Sequence, residues 1–181
     1  GVDKVVIKGA FNSLGSSANH IAASMIEKFE FADDTVWTWA EMTANGLVQT
    51  GTDGADTISG WAGKDIIHGG AGNDILDGGT GSNTLHGGAG NDTLQVNAYS
   101  SGNVLAGGTG NDTLIGSGYA DTYVFNLGDG VDTITESVIS GSTAVFTDVL
   151  RFGEGIAASD IQTHRQGYDL VFAHSNGVDK V

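Results

Sequence analysis

Aspartates preceded by glycines at a fixed distance recur through the middle of the chain. The clearest copies read GGAGNDILD at 69–77, GGAGNDTLQ at 87–95 and GGTGNDTLI at 107–115. An aspartate supplies a hard oxygen ligand, and glycines permit positive-φ turns that leave backbone carbonyl oxygens accessible. Carboxylate and carbonyl oxygens are the ligands that calcium takes in proteins. These residue types therefore suit calcium sites built from turns, with the one large apolar residue of each unit pointing into a thin core.

The repeat keeps its phase over a long stretch. With the aspartate at position six, nine-residue units run at 51–59, 60–68, 69–77, 78–86, 87–95, 98–106, 107–115, 116–124 and 127–135. Two-residue insertions precede residues 98 and 127. Position eight is always large and mostly apolar: Ile58, Ile67, Leu76, Leu85, Leu94, Leu105, Leu114, Tyr123 and Ile134. Six residues of each unit would turn and three would form a strand, so unit n stacks under unit n+2 at about 4.8 Å, on alternate flanks of an all-β roll.

This stacking separates position six into two columns with different charge. The first flank carries Asp56, Asp74, Asp92, Asp112 and Asp132, and the second carries Asp65, Asn83, Asn103 and Asp121. Calcium affinity rises with ligand charge. We therefore expect three strong sites between successive aspartates from Asp56 to Asp112, and a fourth between Asp112 and Asp132, where Asp129 adds a carboxylate. Asp65 and Asp121 could support weaker sites, while the Asn83/Asn103 gap should be empty or poorly occupied. The expected total is three to six Ca²⁺ ions.

These motifs resemble those of the RTX, or haemolysin-type, calcium-binding proteins, and the segments 26–37, 123–134 and 148–153 are similar to those bordering such repeats. The resemblance implies a right-handed parallel β-roll with six-coordinate ions. One turn would give the carbonyls of positions two and four plus its aspartate; the turn two units on would give the carbonyls of positions one and three plus its aspartate. The metal ligands carried over on this basis are Thr52, Gly54, Asp56, Gly69, Gly70, Ala71, Gly72, Asp74, Gly87, Gly88, Ala89, Gly90, Asp92, Gly107, Gly108, Thr109, Gly110 and Asp112.

Composition excludes several classes of partner. The chain has 22 acidic against 7 basic residues and a formal charge of −15, so nucleic acid and anionic membranes are not expected partners. It has no cysteine, which excludes disulfides and thiolate metal sites. No apolar run is long enough to span a membrane, and the first residues do not resemble a signal peptide.

The flanks of the repeat predict caps. We divide the chain into an N-terminal flanking segment (1–50), the calcium-binding roll (51–135) and a C-terminal flanking segment (136–181). Strands are expected near Lys28–Phe31 and Val36–Trp39, followed by a helical turn at Trp39–Ala44.

The chain starts with GVDKV and the same five letters recur at 177–181, which predicts a tandem module whose neighbours continue the chain. A hairpin with a type I′ turn at Asn176-Gly177 would form the junction. Unpaired end strands could then join head-to-tail.

The function expected from these features is a calcium-induced folding and spacer module of a secreted bacterial protein, exported by type I secretion as the resemblance implies. An alternative is a ligand-, glycan- or surface-binding module of an adhesin; an ice-binding face is a further alternative, although the Gly-Thr-Gly-Asn-Asp pattern occurs only once, at 108–112. His68 and His86 should stack on one outer face and could share a transition metal or simply be solvated. No nucleophile or zinc-protease motif is present, so we do not expect an enzyme.

Overall fold

The computed structural model describes residues 28–38, 41, 46–141 and 144–181, and the chain divides between residues 42 and 43 into two compact units. In the first unit, β1 (Lys28–Glu30) pairs antiparallel with β2 (Val36–Thr38), as the sequence predicts. The turn between them contains Asp34 at φ 63°. The predicted helical turn at 39–44 lies, apart from residue 41, outside the described residues.

The second unit is a roll of two parallel sheets. One sheet consists of β4 (Thr57–Ser59), β6 (Ile75–Asp77), β8 (Thr93–Gln95), β10 (Thr113–Ile115) and β12 (Thr133–Thr135). The other consists of β3 (Val48–Thr50), β5 (Ile66–Ala71), β7 (Thr84–Ala89), β9 (Val104–Thr109), β11 (Thr122–Phe125) and β13 (Val149–Phe152). Neighbouring strands lie one coil apart in sequence, for example Leu76 opposite Leu94. The predicted stacking of alternate units, and with it the β-roll, is confirmed.

The core consists mainly of the position-eight side chains of successive units. The middle residue of each three-residue strand points inward because side chains alternate along a strand. Position eight is fully or almost fully buried in seven consecutive units, from Ile67 to Tyr123, while Ile58 and Ile134 at the ends are partly buried. The inserted residues Val96 and Phe125 are buried as well. The two insertions therefore extend the core, and the thinness of that core makes the turns important for stability.

Residues after the last repeat continue the stack. Strand β13 adds to β11 with Leu150 opposite Tyr123. A short 3₁₀ helix (Ala158–Asp160) leads into an antiparallel hairpin of β14 (Ile161–Gln166) and β15 (Asp169–His174). The division of the chain at residues 50/51 and 135/136 stays a prediction, and strands on both sides of it hydrogen-bond to the roll. The described part of the chain contains no helix long and apolar enough to cross a membrane.

Two expectations about the C-terminal end are wrong. A type I′ turn needs positive φ at both central residues, but of Asn176 and Gly177 only Gly177 has it, at 78°. Instead a longer loop is closed by the His174 amide, which donates to the Asp179 carbonyl. The end is also not an unpaired edge, because Val181 and Phe172 exchange two backbone hydrogen bonds. The other predicted end strand, at the start of the chain, lies outside the described residues.

Candidate metal centre

The position-six aspartates of the first flank form a hydrogen-bonded ladder. The backbone N–H of Asp74 donates to Oδ1 of Asp92 at 2.8 Å, and the N–H of Asp92 donates to Oδ1 of Asp112 at 2.7 Å. The same bond joins Asp56 to Asp74 and Asp112 to Asp132. The carboxylates of Asp74, Asp92, Asp112 and Asp132 thus each use one oxygen to hold the preceding coil in register. The predicted first-flank column is present in the fold.

The second oxygen of these carboxylates is unused. Oδ2 of Asp74, Asp92, Asp112 and Asp132 is buried and has no hydrogen-bond partner among the described residues. An unpaired buried carboxylate oxygen is costly, and a cation that it coordinates removes that cost. A Cβ built on Gly69 would meet both Asp74 Oδ2 and the Gly87 carbonyl oxygen, so carboxylate and carbonyl oxygens of stacked turns lie close together and the donor set consists of hard oxygens. This set fits calcium.

Position two of each turn decides whether Oδ2 is unused. Where position two is not glycine, its N–H donates to the aspartate of its own turn: Thr52 to Asp56 at 2.6 Å, Trp61 to Asp65 at 2.8 Å and Ser117 to Asp121 at 2.8 Å. Where it is glycine, φ is positive and Oδ2 accepts no such bond. Glycine at position two is therefore a sequence signal for an available carboxylate oxygen, beyond the ligand role that the family resemblance gives its carbonyl.

Gly88 shows how tightly the turns stack. Its φ is 116°, and a Cβ built there would overlap the carbonyl oxygen of Gly70 in the turn below. Gly155 also has positive φ, at 86°, but a Cβ there would meet nothing within 4 Å. The two glycines separate the cost of backbone strain from the cost of closing the gap between coils.

We expect Gly88→Ala to destabilise the calcium-loaded roll by more than about 3 kcal/mol, because it adds a backbone collision to left-handed strain. Gly155→Ala should cost only about 1–2 kcal/mol, the strain alone. Calorimetric unfolding in calcium measures both. Equal losses in the two variants would show that the coils can separate to accept a side chain.

The second flank is built differently at its centre. Oδ1 of Asn83 accepts the N–H of Asp65 at 3.0 Å, which leaves the Asn83 side-chain amide nitrogen buried and without a partner within the described residues. The amide of Asn103 instead donates to Asp121 Oδ1 at 2.7 Å and to Ser100 Oγ at 3.0 Å. The middle of this flank therefore presents donors where the first flank presents acceptors. A donor does not ligate a cation.

Asp148 continues the second column, and the sequence reasoning missed it. The N–H of Asp121 donates to Oδ1 of Asp148 at 3.0 Å, the bond that links every other pair in the columns. Carboxylate oxygens of Asp121, Glu136 and Asp148 lie within 4.8 Å of one another. The signal was the D-x-L pattern at 148–150, which resembles positions six to eight, but it lies 27 residues after Asp121, three units rather than the two that separate neighbours in a column.

Burial controls the electrostatics of the first column. It raises the pKa of Asp112 to about 6 and that of Asp132 to about 7, and the like charges of neighbouring aspartates add to the effect. The pKa of Asp92 is raised for the same reasons. Asp129, predicted as an additional ligand, accepts the backbone N–H of Asn126 on its Oδ2 at 2.6 Å. Its side chain is therefore partly committed within its own turn.

The two outward-facing histidines stack as predicted. The rings of His68 and His86 lie 4.9 Å apart and are nearly parallel, at 4°. Burial, followed by the charge of His68, lowers the pKa of His86. The pair belongs to no group of three metal-ligating side chains within the described residues, where Asp121, Glu136 and Asp148 form the only such group.

Two family models match the chain, one over the repeats and one over the N-terminal segment. The model of the RTX calcium-binding nonapeptide repeat (4 copies) matches residues 50–76, 68–98 and 97–134. The model of the haemolysin-type calcium-binding protein related domain matches residues 1–41. No curated protein matches the chain.

Proposed function

Because this chain belongs to the RTX, haemolysin-type calcium-binding family, we propose that its roll is a calcium-induced folding module that also serves as a spacer in a secreted protein. The observation that carries the proposal is the column of buried carboxylates on the first flank. Asp74, Asp92, Asp112 and Asp132 each keep one oxygen without a partner among the described residues. The only basic residue between 51 and 135 is Lys64, so the repeats do not supply the cations that this column needs.

The ligands at the central pair of turns would be the carbonyls of Gly70 and Gly72 with Asp74, and the carbonyls of Gly87 and Ala89 with Asp92. Bound calcium supplies the positive charge that offsets repulsion within the column. The chain holds these oxygens close together through the aspartate ladder and the positive-φ glycines. Metal binding and folding are then one event, because the unfolded chain has no preformed site.

The expected energies make calcium decisive. Extracellular calcium modules bind with Kd near 10⁻⁴–10⁻³ M, so millimolar calcium contributes about 0.4–1.4 kcal/mol per site. Four first-flank sites would then contribute roughly 2–6 kcal/mol, which at its upper end equals the whole stability of a marginally stable domain. With one core residue per unit, the chain cannot offset its ordering entropy without this contribution.

A calcium titration tests the proposal. In chelator at pH 7.5 we expect a coil-like far-UV circular dichroism spectrum, and with calcium a cooperative transition to β structure with at least three ions bound by calorimetry. Magnesium is the control, because it dehydrates reluctantly and demands near-ideal octahedral geometry. A chain already folded in chelator, or folded equally well by magnesium, would contradict the switch.

The same linkage supports a route of export. A chain that stays unfolded at low cytoplasmic calcium and folds at extracellular calcium suits type I secretion, in which the chain passes through unfolded, as the family resemblance implies. Location outside the cell and attachment to adjacent modules of the same chain are part of this proposal. The repeated GVDKV at both ends supports the tandem arrangement.

An exposed aromatic pair supports a second candidate function, the binding of a glycan or surface. Trp37 is 41% exposed and its ring contacts Phe31 edge-on at 4.8 Å. Exposed aromatic side chains provide large, rigid contact area for ligands. This candidate concerns the unit at 1–42, whereas calcium-induced folding concerns the repeats, so one chain could do both.

A further inference from the structure

The side chain of Asp179 contacts the turn of the last repeat unit, 127–135, although it lies 51 residues after Gly128 in the sequence. Its side chain is 2% exposed. Oδ2 accepts the N–H of Gly128 at 2.9 Å, and Oδ1 accepts the N–H of Gly130 at 3.0 Å. These glycines occupy positions two and four of the unit 127–135. One carboxylate thus holds two peptide groups of a single turn.

Those two peptide groups include expected calcium ligands. The N–H of Gly128 shares its peptide plane with the carbonyl of Leu127, and the N–H of Gly130 shares its plane with the carbonyl of Asp129. In a planar trans peptide the N–H and C=O point in opposite directions. By accepting the two N–H groups, Asp179 turns the carbonyls of positions one and three away from itself. The Asp129 carbonyl indeed faces the preceding turn, where it accepts the N–H of Gly110 at 2.7 Å.

In the earlier repeats, the next coil accepts the N–H of position four with a backbone carbonyl. The N–H of Gly90 donates to the carbonyl of Thr109 at 2.8 Å, and the N–H of Gly110 donates to the carbonyl of Asp129. No further nonapeptide follows the unit 127–135. Asp179 takes the place of the missing carbonyl for Gly130 and adds a second bond to Gly128. A charged acceptor makes a stronger hydrogen bond than a neutral one.

The residues around Asp179 hold it in this place. Asn176 donates its side-chain amide to Asp179 Oδ2 at 2.6 Å and accepts the backbone N–H of Asp179 at 3.1 Å. The N–H of Lys180 donates to the Gly130 carbonyl at 2.8 Å, and the N–H of Asp132 donates to the Lys180 carbonyl at 3.0 Å. The C-terminal segment therefore stacks as an additional coil. Directly beneath it, Asp132 keeps its buried Oδ2 without a partner among the described residues.

We propose that Asp179 is the positioning residue of the calcium site between the turns of Asp112 and Asp132, so that docking of the C-terminal strand and loading of this site strengthen each other. The inference rests on the proposed function. Asp179 orients the carbonyls of Leu127 and Asp129 without being a ligand itself. Coupling between two sites is reciprocal, so calcium at this site must in turn protect the strand that carries Asp179.

The test compares Asp179→Asn with Asp169→Asn, which removes an equal charge from an exposed position on β15. We expect Asp179→Asn to weaken one calcium site by about 10- to 100-fold, the usual effect of losing a group that orients a ligand, and to leave the others unchanged. Isothermal titration and native mass spectrometry give the affinities and the ion count. Asp169→Asn should leave every site as in the unmodified chain.

Two further variants separate positioning from a general folding defect. Asn176→Ala keeps the Asp179 carboxylate but removes its orienting bonds, so it should weaken the same site by a smaller factor. Asp132→Asn removes a ligand, and hydrogen exchange of the Phe172 and Val181 amides should then lose its dependence on the last calcium bound. Equal weakening of all sites in Asp179→Asn, or no change in any, would overturn the inference. An unmodified chain that binds no calcium would instead refute the proposed function.

Discussion

The single variants Asp92→Asn and Asn83→Asp should change the number of bound calcium ions in opposite directions. Asp92→Asn should lose the two sites that share Asp92, at a cost of roughly 1–3 kcal/mol in millimolar calcium, and its folding midpoint should shift to higher calcium. The fold tolerates the change, because Asn83 occupies the equivalent position of the other flank with 0% exposure. There its amide nitrogen lies where an aspartate would present Oδ2.

Asn83→Asp should act in reverse. It replaces a donor that has no partner in the described part of the chain with a carboxylate oxygen, beside the positive-φ glycine Gly79 at 69°, and we expect one additional bound ion. The added buried charge should also make the calcium-free chain less stable, so its calcium dependence becomes steeper.

Asp53→Asn is the matched control for both variants. Asp53 is exposed and occupies position three of its unit, so this change alters net charge without removing a side-chain ligand. Native mass spectrometry counts the ions, and circular dichroism gives the folding midpoint. If Asp92→Asn binds as many ions as Asp53→Asn, the first flank does not bind calcium through its carboxylates.

The sequence predicts the roll well because its period is a direct consequence of stacking. Each nine-residue unit must place one apolar residue in the core. On the first flank, each unit must also stack its aspartate on the aspartate of the unit two before it. Leu94 and Asp92 can therefore be assigned from spacing alone. The prediction also allows for the insertions, since two added residues leave position eight of the next unit facing inward, while Val96 and Phe125 themselves are buried.

Prediction fails where a coil is formed by residues outside the repeat. Asp148 stacks on Asp121 after a long excursion, and Asp179 reaches the turn at Gly128–Gly130 after a hairpin. Nothing in the spacing fixes where such a segment returns, because loop length hardly changes the cost of closing a loop. Single short motifs, D-x-L at 148–150 and GVDKV at 177–181, are too brief to assign a partner.

The dependence on pH should reverse sign when calcium is removed. In the calcium-free fold, burial raises the pKa of Asp112 to about 6 and that of Asp132 to about 7, from an ordinary value of 3.8. A group with a raised folded-state pKa contributes stability that is full below its unfolded pKa and is lost as pH rises through the folded value. In chelator, the chain should therefore gain β structure as the pH falls from 8 to 6. In calcium, protons compete with the ion, so the folding midpoint should move to higher calcium over the same range.

Other titrating groups can be separated from this effect. Burial also raises the pKa of Glu136 to about 7, so Glu136→Gln should reduce the gain in chelator. Burial lowers the pKa of His86, which opposes folding at acid pH, and a His68→Gln/His86→Gln variant removes that contribution. Circular dichroism across pH 6–8, with and without calcium, measures both arms. If the two arms run in the same direction, the carboxylate column does not couple protons, calcium and folding.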